Sequence, residues 1–266
     1  MSGPDIVVVP DAAAASARAA DVIADALGDA VSRNGRADWA TTGGSTPIAI
    51  YNELVRRGPG AVPWRSVHTW WGDERFVPND HPLSNARPFL DTLVEAGAYE
   101  SVHSDDDRGR VRVPVENVHP FPTGFAIGGG HDAAWCAAQL ERELRAAGLE
   151  EADGWPVFDL MFVGVGGDGH LLSVFPGSAA FQSDDLVLAI PAPTHIEPHV
   201  ERVTLNPATI RAARQILAVV LGGSKADMVG RLFADPTDPA TLPAQLAIRD
   251  GATWILDEAA AAKLPR

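Results

Sequence analysis

The stretch Trp155-Pro-Val-Phe-Asp-Leu-Met-Phe-Val-Gly-Val-Gly-Gly-Asp-Gly-His-Leu-Leu-Ser-Val-Phe-Pro-Gly-Ser178 decides how the chain is read. Val157 to Val165 is a near-continuous apolar run, the pattern of a central parallel strand buried on both faces. It ends in a glycine-rich turn, Gly164 to Gly169, bearing one acid and one imidazole, Asp168 and His170. Four glycines let such a turn take positive φ and let a ligand come close to the backbone. A side chain just past the carboxyl end of a central strand points into the crevice where open α/β sheets bind ligands.

Three readings of this turn compete. Gly164, Gly166 and Gly169 fit the G-x-G-x-x-G dinucleotide fingerprint, but the context fails. Pro176 falls too soon for the long helix that should follow, and Asp184 and Asp185 precede the next apolar run rather than close it. A purely structural turn needs neither Asp168 nor His170. A catalytic turn uses both, with His170 as acid/base and Asp168 as its neighbour, and this is the favoured reading.

Composition narrows the class. The 266 residues are 46% hydrophobic and 21% charged, ordinary for a globular enzyme with a sizeable core. A formal net charge of −14 argues against a nucleic-acid or anionic-membrane surface. Any anionic substrate must therefore be met by a local cluster of cations. The single cysteine, Cys136, lies in an alanine-rich helical stretch, which excludes an intrachain disulfide and points to an inert buried thiol. No basic leader with an apolar core and no apolar run near the ~20 residues of a membrane span is present, so a cytoplasmic location is expected. Nothing in the sequence sets an oligomeric state.

Along the chain, Asp5 to Pro10 reads as a strand and Asp11 as the cap of a helix to about Arg33. Trp39 to Thr42 is a second strand, delivering Gly43-Gly44-Ser45-Thr46-Pro47 and a helix through Arg57, with Ser45 or Thr46 as cap. Glycines and hydroxyls at a strand-to-helix junction leave backbone N–H groups free to hold a phosphate, although a plain helix start has the same appearance. Val67 to Trp71 delivers Gly72-Asp73-Glu74-Arg75, equally readable as a solvated ion pair or as part of a site. Ser84 and Asn85 start the next helix. Residues 99 to 130 are irregular, with an acidic run at 104–108 read as a solvated loop or insertion. His131 to Gly148 is an amphipathic helix.

Beyond the central turn, Leu186 to Ile190 and Val200 to Leu205 are strands, the second carrying Arg202. Between them lie His195 and His199. Pro198 breaks the helix that would align them as a metal pair, so this segment reads as a proline-rich loop. Gln215 to Leu221 is a buried strand leading to Gly222-Gly223-Ser224-Lys225, a second anion-ready junction with Ser224 as cap, which lacks the first glycine spacing of a P-loop. Pro236 to Pro243 is a linker or short helix, Thr253 to Leu256 a last edge strand, and Ala259 to Leu264 a terminal helix. Strands separated by helices imply right-handed crossovers and a mostly parallel sheet. The junctions at Gly43, Gly72, Gly164 and Gly222 then meet along one edge. No repeat or break in composition marks a second domain, so residues 1–266 are expected to form one.

The block Asp168-Gly-His-Leu-Leu-Ser-Val-Phe-Pro-Gly-Ser178 resembles the signature of the 6-phosphogluconolactonases, relatives of the glucosamine-6-phosphate deaminases. Trp71-x-Asp-Glu-Arg-x-Val-Pro78 is similar to a second block of the same family. His81-Pro82-Leu83-Ser84-Asn85 departs from the family pattern by placing Leu83 where an acid is usual. The resemblance touches segments 41–47, 70–78, 81–85, 159–177, 200–205 and 221–225. It implies an α/β fold with one doubly wound, mostly parallel sheet and helices on both faces. It also implies hydrolysis of 6-phospho-D-glucono-1,5-lactone, a small-molecule phosphosugar lactone, without cofactor or metal. The expected roles are His170 as acid/base, Asp168 orienting it, and Arg75 stabilising developing charge or binding substrate. Gly43, Gly44, Ser45, Thr46, Asp73, Gly167, Arg202 and Lys225 are expected to bind the substrate and its phosphate. The deaminases carry an acid a few residues after Asp-Gly-His, where this chain has Ser173, Val174, Phe175 and Pro176. That difference favours the lactonase over the deaminase, and the absence of a basic helix-turn-helix segment disfavours a sugar-phosphate sensor.

Overall fold

A computed structural model describes residues 3–95 and 113–265 of the chain. The acidic run 104–108 lies outside the described residues. The elements are β1 (Asp5–Val9), α1 (Ala12–Asn34), β2 (Ala37–Thr41), α2 (Ser45–Arg57), β3 (Val67–Trp71), β4 (Asp73–Arg75), α3 (Arg87–Phe89) and β5 (Val118–His119). They continue with α4 (Thr123–Gly128), α5 (Ala133–Ala146), β6 (Glu151–Ala152), β7 (Trp155–Pro156), β8 (Leu160–Val163), β9 (Val187–Ile190) and β10 (Arg202–Leu205). The last are α6 (Ala208–Ala212), β11 (Gln215–Val220), α7 (Ala226–Ala234) and β12 (Ala252–Asp257), with single turns of tighter helix between several of them.

Seven strands form one sheet in the order β1-β12-β11-β8-β2-β3-β5. Every pairing in it is parallel. All residues of β2 and β8 are buried, and only Gln215 of β11 is partly exposed. Apolar strands of this kind need cover on both faces, which is why they read as continuous runs rather than alternating ones. From β2 the chain winds outward through β3 to β5; from β8 it winds the other way through β11 to β12. The neighbours β2 and β8 therefore form the topological switch point, where the loops at their carboxyl ends diverge and leave a crevice.

Helix α1 begins as expected: the Ala14 N–H donates to Asp11 Oδ1 at 2.8 Å. Its apolar stripe, including Ala19, Ile23, Leu27 and Ala30, is buried, and the helix packs on α2 and on five strands of the sheet. Trp39, Trp70, Trp71 and Trp254 are fully buried. Trp39, Tyr51, Trp71 and Phe89 pack edge-on around the Phe89 ring or one another at 5.3–6.2 Å. This aromatic packing fixes α2 against the sheet beneath the loop that follows β2.

Several sequence expectations are corrected. The strand read as Val157–Val165 is regular only over Leu160–Val163; Val157 N–H instead donates to Glu150 O and Asp159 N–H to Asp38 O. The run read as a last edge strand is β12, which lies between β1 and β11, so the edge belongs to β1. Strands β9 and β10 do not enter the parallel sheet. They pair antiparallel with each other, and β10 with β4, in a separate three-stranded sheet. Helix α5 packs on this second sheet. The irregular stretch also contains the short helix α4. Among the described residues no helix is long and apolar enough to cross a membrane.

Candidate active site

The carboxyl ends of β2, β3, β8 and β11 open into a cavity of about 430 Å³, within the size range of small-molecule sites. Gly43, Gly44, Ser45, Thr46, Asp73, Arg75, Gly167, His170, Arg202 and Lys225 all line it. Asp168 does not line the cavity but supports His170 from behind.

The central turn is built by close approach. Gly166 N–H donates to His170 O, and Gly169 N–H to Gly166 O. A Cβ on Gly166 would fall 2.0 Å from His170 Nδ1 and 2.6 Å from Asp168 Oδ1, so no side chain fits there without displacing the pair. Of the turn's four glycines only Gly169 has positive φ, which corrects the expectation that all four serve backbone freedom. His170 Nδ1 lies 2.5 Å from Asp168 Oδ1. Burial pushes the Asp168 carboxyl up, but hydrogen bonds and charge from His170, with a further bond from His195, hold it well below the usual carboxylate range. An ionised carboxylate only accepts, so the shared proton sits on Nδ1 of His170, which makes Nε2 the lone-pair nitrogen of the neutral ring.

The loop after β2 ends in Gly44, whose φ of 106° favours glycine. Gly44 is the N-cap of α2 and supplies no side-chain hydrogen bond. The expected hydroxyl cap from Ser45 or Thr46 is therefore not made: the chain turns at Gly44, and both hydroxyl residues are already helical. The first turn of α2, with no capping side chain, lines the cavity, and a helix N-terminus adds positive potential there.

Across the cavity, β4 presents three charged residues in three environments. Asp73 is buried and fully engaged: Ser173 Oγ donates to its Oδ2 at 2.6 Å, and Asn85 Nδ2 to its Oδ1 at 3.1 Å. Glu74 is 1% exposed. It accepts the N–H groups of Arg75, Asn85 and Ala86 and the hydroxyl of Ser84. Burial pushes Glu74 up to about 7, against the pull of these four donors. Its carboxyl ties β4 to the segment ahead of α3, where Ser84 Oγ accepts from the N–H groups of Ala86 and Arg87; the helix itself begins at Arg87 with Ala86 as N-cap, two residues later than the start expected at Ser84 and Asn85. Arg75 Nη1 donates to the backbone carbonyl of Leu83 at 2.8 Å, so that position serves Arg75 through its main chain.

Arg202 lies directly opposite Arg75 in the antiparallel ladder. Its guanidinium donates to Pro198 O at 2.9 Å and Val200 O at 3.2 Å. Burial pulls its pKa down; Asp73 and Glu74 oppose this while Arg75 adds to it. Lys225 Nζ donates to Val165 O at 2.9 Å, and burial lowers the ammonium against the attraction of Asp168. Ser224 makes no cap; the turn is held instead by Gly222 N–H donating to the Asp257 carboxylate. Cys136 is buried, its thiol pushed up to about 12 by burial and by the charge of Glu74, as suits an inert residue.

Residues 10–255 match the family described as glucosamine-6-phosphate isomerases/6-phosphogluconolactonase. The chain belongs to this family. A Synechocystis protein named 6-phosphogluconolactonase is 33% identical over 236 residues, covering 88% of each chain. A Mycobacterium tuberculosis protein of the same name is 33% identical over 263 residues, covering 98% of each. The solved structure of 6-phosphogluconolactonase from Trypanosoma brucei superposes with a TM-score of 0.81 at 28% identity, over 98% of this chain and 99% of that one. The family and the mostly parallel fold are thus those expected from the sequence.

Two site residues escaped the sequence reading. His195 Nε2 lies 3.1 Å from Asp168 Oδ2, although its loop was read only as proline-rich. His199 has a different partner, its Nδ1 lying 2.7 Å from Pro193 O. Ser173 is fully buried on Asp73, a contact that its sequence position, where the deaminases carry an acid, does not reveal. Glu197 and Ile196, beside His195, complete one wall of the cavity.

Proposed function

We propose that the chain hydrolyses 6-phospho-D-glucono-1,5-lactone to 6-phospho-D-gluconate, the lactonase step of the oxidative pentose phosphate pathway, with His170 as general acid/base. The observation that carries this reading is the Asp168–His170 pair at the cavity wall. Asp168 holds the Nδ1 proton and leaves Nε2 of His170 as a base on the cavity side. Water attacks C1 of the lactone as Nε2 takes its proton, and the carbonyl π electrons move to oxygen. The tetrahedral intermediate then collapses: the C1–ring oxygen bond breaks, and the imidazolium returns its proton to the departing oxygen. The acid product loses its proton to solvent. A lactone is an activated ester, so one base and a few donors for the developing oxyanion suffice, and no step draws on a cofactor.

Arg75, anchored on Leu83 O, is assigned to the developing charge. Gly43, Gly44, Ser45 and Thr46 at the start of α2, with Arg202 and Lys225, are assigned to the phosphate. Asp73 sets the cavity wall through Ser173 and Asn85, and Gly167 lines the cavity on the side of Lys225 and is assigned to substrate binding. Ser173 occupies the region where the deaminases place an acid. Its hydroxyl is committed to Asp73 and cannot shuttle protons between carbons. The test is to supply freshly made 6-phosphogluconolactone and, separately, glucosamine 6-phosphate. Lactone loss above the spontaneous rate, with no ammonia released from the amino sugar, is expected. Ammonia release without lactone hydrolysis would overturn the assignment.

A further inference from the structure

We propose that His195 is a positioning residue for the general base: it takes the second oxygen of Asp168 and so fixes the plane of the carboxylate that orients His170. The two oxygens of Asp168 are divided between two imidazoles, Oδ1 to His170 Nδ1 at 2.5 Å and Oδ2 to His195 Nε2 at 3.1 Å. A carboxylate held by one oxygen can still rotate about its terminal bond and tilt its partner ring; a donor on each oxygen removes that freedom. Phe175 completes the unit, its ring centroid 4.8 Å from that of His170 and 5.4 Å from that of His195. The two imidazoles, the carboxylate and the phenyl ring thus form one packed group at the cavity wall.

The chemistry fixes which atom does what. Asp168 is ionised and can only accept, so His195 must carry a proton on Nε2. That nitrogen is therefore committed to Asp168 rather than to substrate, and the influence of His195 reaches the reaction through His170. The contact also has an architectural side. His195 comes from the loop between β9 and β10, whose next residues, Ile196 and Glu197, line the cavity. Its bond to Asp168 therefore joins that wall to the catalytic turn. Because the His195 side chain is 53% exposed, solvent screens the contact, and its loss should cost kcat about three- to tenfold rather than the full value of a buried charged bond.

This inference rests on the reading of His170 as the base, and the experiment separates the two. In His195→Ala, kcat for 6-phosphogluconolactone is expected to fall by about three- to tenfold with KM within about twofold of the wild type. His195→Gln, whose amide nitrogen can reach the same oxygen, should recover most of the loss. In a His170→Ala background, His195→Ala should have no further effect, because the group it orients is gone. A full additional loss in that background would make His195 an independent substrate contact and overturn the proposal. An activity-independent readout is the imidazole N–H proton of His170 bonded to Asp168, seen by NMR and assigned by its absence in His170→Ala. It should shift or broaden in His195→Ala and return in His195→Gln. An unchanged resonance in His195→Ala refutes the coupling. A resonance that depends on His195 in a protein without lactone turnover would sustain the coupling while removing the functional reading beneath it.

Discussion

Replacing Lys225 by Met keeps most of the stem and removes only the ammonium. In the structure Nζ donates one hydrogen bond, to Val165 O. An ammonium has three donors, so two remain for a ligand in the cavity. A protein of net charge −14 repels an anion at long range, and phosphate binding must come from such local donors. A charged hydrogen bond is worth about 1.5–3 kcal/mol, or roughly 10- to 150-fold in kcat/KM. Lys225 is only partly buried, so screening places the expectation near the low end, about 10- to 30-fold. The assay compares kcat/KM for 6-phosphogluconolactone and for unphosphorylated gluconolactone, each corrected for spontaneous hydrolysis. The loss should fall on the phosphorylated lactone alone, and inorganic phosphate should inhibit the wild type more than the variant. Equal losses on both substrates would place Lys225 at the reacting carbonyl or in the fold. No loss on either would make it a solvated lysine, and in both cases the phosphate assignment fails.

Other parts of the site make separate predictions. Ser173→Ala leaves Asp73 Oδ2 without its buried donor, a cost of about 1.5–3 kcal/mol. At roughly 2–4 °C per kcal/mol for a chain of this size, the melting temperature should drop by about 3–12 °C; a drop under about 1 °C would mean the contact is not made. Gly166→Ala puts a methyl where His170 and Asp168 now sit, so kcat should fall by about 10²-fold while the protein still folds; near-normal turnover would show that the pair tolerates displacement. His68 donates through Nδ1 to His119 Nε2, because His119 Nδ1 is bonded to Glu143. Burial, then Arg36, lowers the His68 pKa; Asp38 opposes this, and His119 adds to the lowering. The folded state therefore resists a proton that the unfolded chain accepts near pH 6.5. Stability should be full above that pH and fall as pH drops below it. In His68→Asn, which keeps a donor at the same reach and does not titrate, that slope should be reduced; an identical slope would remove His68 as its source.

How much of this was legible in the sequence depends on the range of the interactions involved. The β8 run, the turn after it and the two glycine junctions are local patterns, and the structure places them together at one sheet edge as parallel topology requires. What the sequence hid is pairing. Strands as short as Asp73–Arg75 and Arg202–Leu205 carry no mark of their partners, so the small antiparallel sheet and the facing of Arg75 with Arg202 emerged only in three dimensions. The edge position expected for Thr253–Leu256 failed for the same reason, since β1, from the other end of the chain, pairs on its outer side. Glu74 could have been suspected from an acid flanked by Asp73 and Arg75 at a strand end, but three of its four donors, from Ser84, Asn85 and Ala86, come from across a turn. His195 had no local signal beyond being a histidine next to prolines, because its partner is 27 residues away.

The most direct test of the central claim is the rate of 6-phosphogluconolactone hydrolysis by wild-type protein and by His170→Ala, measured by following the lactone itself and subtracting the buffer rate. With His170 as general base, the wild type should accelerate hydrolysis well above the spontaneous rate, and the variant should lose about 10²–10⁴-fold in kcat while keeping its melting temperature within a few degrees. A folded His170→Ala protein with near wild-type turnover would contradict the account.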